Sequence, residues 1–372
     1  MILIPKVFGI ELDNISGSYD KAKLALVLLS FIFATLSYYF IENNTKKVTK
    51  LTTIIVLLVL AVLVIIIPAQ MLKNNAQRTV DLTLEALHAR ANDDMDICFG
   101  ARAIDNQDTC GYPYGVGDPY YLQFMKSDFE LGFTMKCDTF VLDLEEAGCV
   151  VGDKSSSKTA LLWGDSHAIS WSGALDAAGK QLGIKVILGT FSSCQAEAAE
   201  LDDLSITQFN TVEYNEHCLT KNRTIYDKYA KTSDIVILAS ARYYGGASFH
   251  SYPKLVELIN NLSSAGRQVI VMQDMPPVIY TNPSNSSDVD ECFYHSDRCT
   301  TNGHGTDNFV NRLKNDTQNM NVIYTRDRFC DGDFCPLIIG NVPYSRNNGH
   351  FDATYSRTLG PWLAKQLASY IF

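Results

Sequence analysis

The 372-residue chain has no cysteine before Cys98. All ten cysteines lie from that point on, and they come as near neighbours: Cys98 and Cys110, Cys137 and Cys149, Cys194 and Cys218, Cys292 and Cys299, Cys330 and Cys335. An even count confined to one region implies disulfides in an oxidising compartment. Pairing of neighbours is the simplest connectivity, although spacing alone does not fix it. There is no CxxC, and no two histidines have the spacing of a helix-borne metal site, so zinc is not expected. A long basic run is also missing, and the formal net charge is −10. That excludes an obvious nucleic-acid surface but leaves a neutral or acidic glycan open as partner. Repeats and low-complexity tracts are absent.

What is present begins with two apolar runs. Residues 1–20 read as an extramembrane loop. Leu24–Ile41 and Leu51–Leu72 are uncharged throughout and long enough to cross a bilayer. Tyr38 and Tyr39 suit the headgroup level. Lys46, Lys47 and Lys50 between the runs favour a cytoplasmic turn, although Lys21, Lys23, Lys73 and Arg78 flank the other ends. The cysteines decide the orientation: everything after residue 72 is expected outside the cytoplasm. The expected organisation is therefore residues 1–72 as two transmembrane helices with short loops and 73–95 as a helical stalk. Residues 96–158 follow as an irregular, disulfide-tied segment, and 159–372 as a globular domain.

Within that domain, apolar runs alternate with helical patterns. Strands are expected at 160–163, 185–188, 233–240, 268–273 and 322–324. Helices are expected at 252–265, 309–317 and 354–371, and 278–308 reads as a long loop. Strands alternating with helices give a parallel sheet covered on both faces. Ligands in such sheets bind beyond the carboxyl ends of the strands.

One such end is chemically marked. Ala160–Trp163 runs into Gly164-Asp165-Ser166-His167, and a helical pattern follows to Gly183. A serine where a strand hands over to a helix has free backbone N–H groups nearby, which suit a developing negative charge. Asp165 or Ser166 as a simple N-cap is the competing reading. A serine nucleophile also needs a base. Of the seven histidines, His350 stands just before the last helix, a position from which the chain can fold back beside the first corner.

GDSH after a strand, with a histidine before the C-terminal helix, resembles the SGNH (GDSL-like) esterase and acyltransferase superfamily. The SSC at 192–194, VILAS followed by Ala241-Arg242-Tyr243, MPPV from Met275, and CDGDFC before the histidine extend the likeness. Together they resemble the SGNH domain fused to bacterial acyltransferase-3 membrane proteins, which O-acetylate surface polysaccharides such as O-antigen. Leu36–Glu42 resembles the end of the last helix of their membrane domain. The resemblance implies an α/β flavodoxin-like three-layer sandwich with a parallel sheet, here preceded by two transmembrane helices.

It further implies an O-acyltransferase, O-acetyl by expectation, acting through a serine acyl-enzyme on a polysaccharide acceptor. Ser166 would be the nucleophile and His350 the base, without metal or cofactor. The expected setting is the bacterial inner membrane, with the C-terminal domain in the periplasm. Two other functions share the pattern: a carbohydrate esterase with the same Ser-His machinery, and a glycan-binding module that has lost catalysis.

The chain departs from the family pattern in several places. Three residues before His350 stands Asn347 rather than Asp, and Asp352 is the nearby substitute acid. No oxyanion Asn follows VILAS, where Arg242 stands instead. Gly189 and the Ser192 and Ser193 amides are candidates for the second oxyanion donor. The resemblance takes in only the end of the family's membrane domain, so the acyl donor is expected through the membrane acyltransferase domain of a longer product or through a separate membrane partner.

Overall fold

The structure is a computed structural model. It describes residues 51–371 except 116–120, 122–123, 126, 197–211, 242–251, 277, 281–298, 302–305 and 346–348. The chain divides into two compact units, Met1–Thr83 and Leu84–Phe372. The described part of the first unit is helical and belongs to helix α1, Leu51–Ala91. That helix runs without a break through the apolar run 51–72 and most of the segment expected as a stalk. The run 24–41 lies outside the described residues. Among the described residues, no helix is long and apolar enough to cross a membrane.

The second unit is built on a six-stranded sheet. Its strands are β1 Val150–Gly152, β2 Thr159–Gly164, β3 Lys185–Thr190, β4 Ile235–Ala239, β5 Gln268–Met272 and a last strand, Met320–Ile323. Across the sheet the order is β1-β3-β2-β4-β5 and then Met320–Ile323. All neighbours are parallel except β1, which pairs antiparallel with β3. The strands are buried on both faces. Leu161, Leu162, Val236, Ile237, Leu238, Val269, Ile270 and Val271 are fully enclosed. Strands of this kind read as continuous apolar runs rather than alternating ones, and each such side chain contributes about 1.5–3 kcal/mol of burial.

The helices that cover the sheet follow from the same chain. The short α2, Ser166–Ser170, and α3, Ser172–Leu182, succeed β2. Then come α4 Val212–Thr224, α5 Tyr252–Ser264 and α6 Thr306–Asp316. The expected closing helix is two helices, α7 Ala353–Thr358 and α8 Gly360–Ile371. At the break, a Cβ on Gly360 would lie 2.4 Å from the Cβ of Ala177 in α3. The stretch expected as a loop, 278–308, holds a two-stranded ribbon of β6 Val278–Tyr280 and β7 Cys299–Thr301. With these included, Met320–Ile323 is β8. A second small ribbon pairs β9 Ile338–Ile339 with β10 Val342–Pro343.

Among the described residues, four disulfides join neighbours: Cys98–Cys110, Cys137–Cys149, Cys194–Cys218 and Cys330–Cys335. Cys292 of the fifth expected pair lies outside the described residues. The segment expected to be irregular, 96–158, has short helical turns at Arg102–Asp105, Gln107–Cys110 and Leu131–Thr134. It also supplies the edge strand β1. The carbonyl of Cys149, disulfide-linked to Cys137, accepts from the Leu188 amide at 2.9 Å, so the tie lies directly on the sheet edge.

From β2 the chain crosses to β3 on one side, then returns to β4 on the other. The carboxyl ends of β2 and β4 therefore flank the sheet's switch point, where α/β folds place their ligands. The strands approach closely there. Gly164 pairs with Ala239, and a Cβ on Gly164 would lie 1.7 Å from the Ala239 carbonyl oxygen. Gly164→Ala is expected to cost about 3 kcal/mol or more by overpacking. Gly266→Ala, where nothing lies within 4 Å and only φ +77° is adverse, should cost about 1 kcal/mol. Denaturant midpoints of the two variants test this ordering.

Candidate active site

The turn after β2 is fixed by its aspartate. Asp165 is the N-cap of α2, with φ −90° and ψ −157°, and its carboxylate accepts from the His167 amide at 2.9 Å. The same carboxylate accepts from the Ser240 hydroxyl at 2.7 Å and the Ala241 amide at 3.2 Å, both just past β4. One buried carboxylate thus ties together the ends of the two strands at the switch point. A chain of hydrogen bonds holds it from behind. Gln195 Nε2 donates to Ser240 Oγ at 2.9 Å, Asn222 Nδ2 to the Gln195 carbonyl at 2.7 Å, and Trp163 Nε1 to Asn222 Oδ1 at 2.8 Å.

Of the two capping readings, the structure gives the cap to Asp165. Ser166 is the first residue of the helix and is half-buried. Its N–H is one of the first-turn groups without an intrahelical acceptor. The serine is left at the mouth of the switch point with its hydroxyl uncommitted to the cap.

His167 turns away toward β5. Its Nδ1 lies 2.9 Å from Oδ1 of Asp274, two residues past the end of that strand. Asp274 is buried, and its Oδ1 also accepts from the Met275 amide at 2.9 Å. Burial alone would lower the His167 pKa. The Asp274 charge and hydrogen bond, with Asp165 and Glu130 nearby, outweigh it and raise the value to about 9. Burial keeps the Asp274 carboxyl above its usual range, although His167 and the Met275 amide pull it down. The His350 ring lies against His167, centroid to centroid 4.9 Å and tilted by 53°.

The other residues expected at the site fall as follows. Asp352 is the N-cap of α7, accepting from the Tyr355 amide at 2.7 Å, so it is a cap rather than an acid turned to His350. It is buried beside Asp128. Burial and that second carboxyl raise its pKa well above the usual carboxylate range. Asp128 in turn meets His88 Nε2 at 2.6 Å and the Thr354 amide at 2.9 Å.

Gly189 lies inside β3, paired with Trp163, and a Cβ there would be 2.9 Å from Leu161 Cδ1. It is a packing glycine within the sheet, not a donor at the strand end. Ser193 is exposed, with φ +59°. Its neighbour Ser192 is engaged: the amide donates to the Asp138 carbonyl at 3.2 Å and the hydroxyl to the Asp138 carboxylate at 3.2 Å. Arg242 and Asn347 lie outside the described residues. No group of residues suited to hold a metal ion occurs among the described residues.

Several residues here carry no motif signal. The Asp274 carboxylate is one. Its only hint is its place just beyond an apolar strand. Lys221 is another. It is fully enclosed and donates to the carbonyls of Thr190 at 2.6 Å, Thr139 at 2.5 Å and Cys137 at 3.3 Å. Burial lowers its pKa to about 8 despite the opposing charge of Asp138. It holds the carboxyl end of β3 against the Cys137 loop.

Residues 136–365 match a family model described as the SGNH domain fused to AT3 domains. No curated protein matches the chain in sequence. Among solved structures, the periplasmic domain of a lipopolysaccharide acetyltransferase from Salmonella ser. Paratyphi A is similar at 15% identity. Its TM-score is 0.43, with 68% of this chain and 98% of that one covered. An acetyl xylan esterase, AlAXEase, is similar at 14% identity and TM-score 0.34, with coverage of 57% and 100%.

The His167–Asp274 pair has a consequence for stability. The folded pKa of His167 lies above its ordinary 6.5, so its contribution is complete below about pH 6.5 and is lost as pH rises through about 9. Urea midpoints should fall across that window in the native chain. Asp274→Asn should flatten that fall.

Proposed function

The chain belongs to the family of SGNH domains fused to AT3 domains, and from that premise we propose that it is a serine-dependent enzyme of acyl groups, an O-acyltransferase acting on a polysaccharide. The observation that carries this reading is the placement of Ser166. It opens α2 at the carboxyl end of β2, at the sheet's switch point, with the cap supplied by Asp165 and with His350 held against the adjoining His167.

In the proposed reaction the Ser166 hydroxyl attacks the carbonyl carbon of an acyl donor, and His350 takes its proton. The tetrahedral oxyanion is held by the Ser166 N–H and a second donor. Collapse expels the donor's leaving group, protonated by His350, and leaves an acyl-serine ester. A sugar hydroxyl then attacks that ester and gives its proton to His350. The acyl group ends on the sugar and the serine is restored. The Ser193 amide and Arg242 are the remaining candidates for the second donor. The acyl group is an acetyl in this reading.

The disulfides support an oxidising, extracytoplasmic setting for the second unit. The uncharged run 24–41, outside the described residues, supports an anchor in the bacterial inner membrane, with the C-terminal domain in the periplasm. The acyl donor then comes from a membrane acyltransferase domain or partner. An esterase would use the same serine and histidine with water as acceptor.

With an activated acetyl ester as donor, Ser166→Ala is expected to abolish turnover. His350→Ala is expected to lower it by about 10²–10⁴. Acetyl-sugar formation when glycan is added, at the expense of acetate release, supports the transferase. Acetate release that added glycan does not change identifies the esterase. Turnover by Ser166→Ala at the native rate contradicts both.

A further inference from the structure

We propose that His167 and Asp274 form a positioning pair that holds His350 in place, taking over the orienting part of the role of the acid that position 347 lacks. This rests on Ser166 and His350 as nucleophile and base.

The pair is anchored from below. Asp274 follows β5, is buried, and is pinned by its own chain through the Met275 amide at 2.9 Å. The same oxygen meets His167 Nδ1 at 2.9 Å. His167 is pinned from its own side as well, because its amide is bonded to the Asp165 cap. An imidazole fixed at both its backbone and its Nδ1 edge has little rotational freedom left.

Its other edge meets the segment that carries His350. A Cβ on Gly349 would lie 2.7 Å from His167 Nε2 and 2.8 Å from Cε1. Glycine is therefore required at 349 for the backbone to pass over that edge. The next residue lays its ring on the His167 ring at 4.9 Å. His167 thus touches both the backbone that leads into His350 and the imidazole itself. The contact is steric and electrostatic, and no proton needs to pass through His167.

Protonated His167 against the Asp274 carboxylate is an ion pair without net charge beside the base. The groups facing His167 are Asp274 beyond β5, Asp165 on its own turn, Glu130 before Leu131–Thr134, and His350 before α7. With three carboxyl groups around it, His167 keeps its proton through the neutral range and rises to about 9. Asp352 does not compete for the role, since its carboxyl is the α7 cap beside Asp128.

The test uses the full chain and an activated acetyl ester, with pH–rate profiles and imidazole nitrogen NMR. Asp274→Asn is expected to lower kcat by about 10²-fold, the loss that a misplacement of about 1 Å produces, with KM little changed. It is also expected to bring the His167 titration down from about 9, to add that ionisation to the pH–rate profile, and to move the His350 resonances. Asp274→Glu should restore part of the rate. Asp352→Asn, which keeps a capping side chain, should leave the kcat profile as in the native chain.

If Asp274→Asn does not fold, His167→Gln carries the same kcat and His350 readouts. Native kcat, pH profile and His350 resonances in the folded variants would overturn the pairing while leaving Ser166 intact as nucleophile. So would a loss confined to Asp352→Asn. An active Ser166→Ala would instead remove the reading on which the pairing rests.

Discussion

The Asp165 carboxylate is the interaction on which the site depends. It is buried at the end of β2 and accepts from three groups: the His167 amide of the following helix, the Ser240 hydroxyl and the Ala241 amide beyond β4. A buried carboxylate left with unfilled acceptor capacity is costly, and one that is filled is rigid. Its three donors stand just beyond two strands that are neighbours in the sheet but far apart in sequence. Filling them fixes the turn, and the turn fixes where Ser166 stands. The close approach of Gly164 to the Ala239 carbonyl makes this geometry reachable, because no side chain separates the two strand ends.

Around that corner the protein uses covalent and ionic ties where its loops are irregular. The Cys137–Cys149 and Cys194–Cys218 bridges bracket β3, the first before the strand and the second after it. In the chain-entropy account, closing loops of this size stabilises by about 3 kcal/mol each. Lys221 adds a buried cation that collects three carbonyls at the end of β3. A charge so placed is tolerated because three carbonyl oxygens converge on it, and removing it would take one donor from each of them. These ties steady the loop that carries Ser192 and Ser193 on the far side of the switch point from Asp274.

Much of this was legible in the sequence, for physical reasons. Strands buried on both faces leave uninterrupted apolar runs, so β2, β4 and β5 were visible as Ala160–Trp163, Ser233–Ser240 and Gln268–Gln273. Cysteines a short loop apart pair with each other in the four described cases. The strand-to-helix corner at Ser166 was marked by the Gly-Asp-Ser-His turn itself. Other features were not legible because they depend on which strands become neighbours. His167 and Asp274 sit beyond β2 and β5, with β4 between them, and only the sheet order brings them to 2.9 Å. The edge strand β1 has three residues, too few for a periodic pattern. Asp352 looked like an acid near a histidine. It is a cap, a role that becomes visible only when α7 is seen to begin at Ala353. Gly189 looked available at a strand end, yet the strand runs on to Thr190 and takes it into the sheet.

The most direct measurement of the central claim is mass spectrometry of the chain quenched in acid during turnover of an activated acetyl ester, followed by peptide mapping. The account predicts one added acetyl group, carried on Ser166, that disappears when an acceptor is supplied or when hydrolysis is allowed to finish. An acetyl group on another residue that forms and decays at the turnover rate, with Ser166 unmodified throughout, would contradict it.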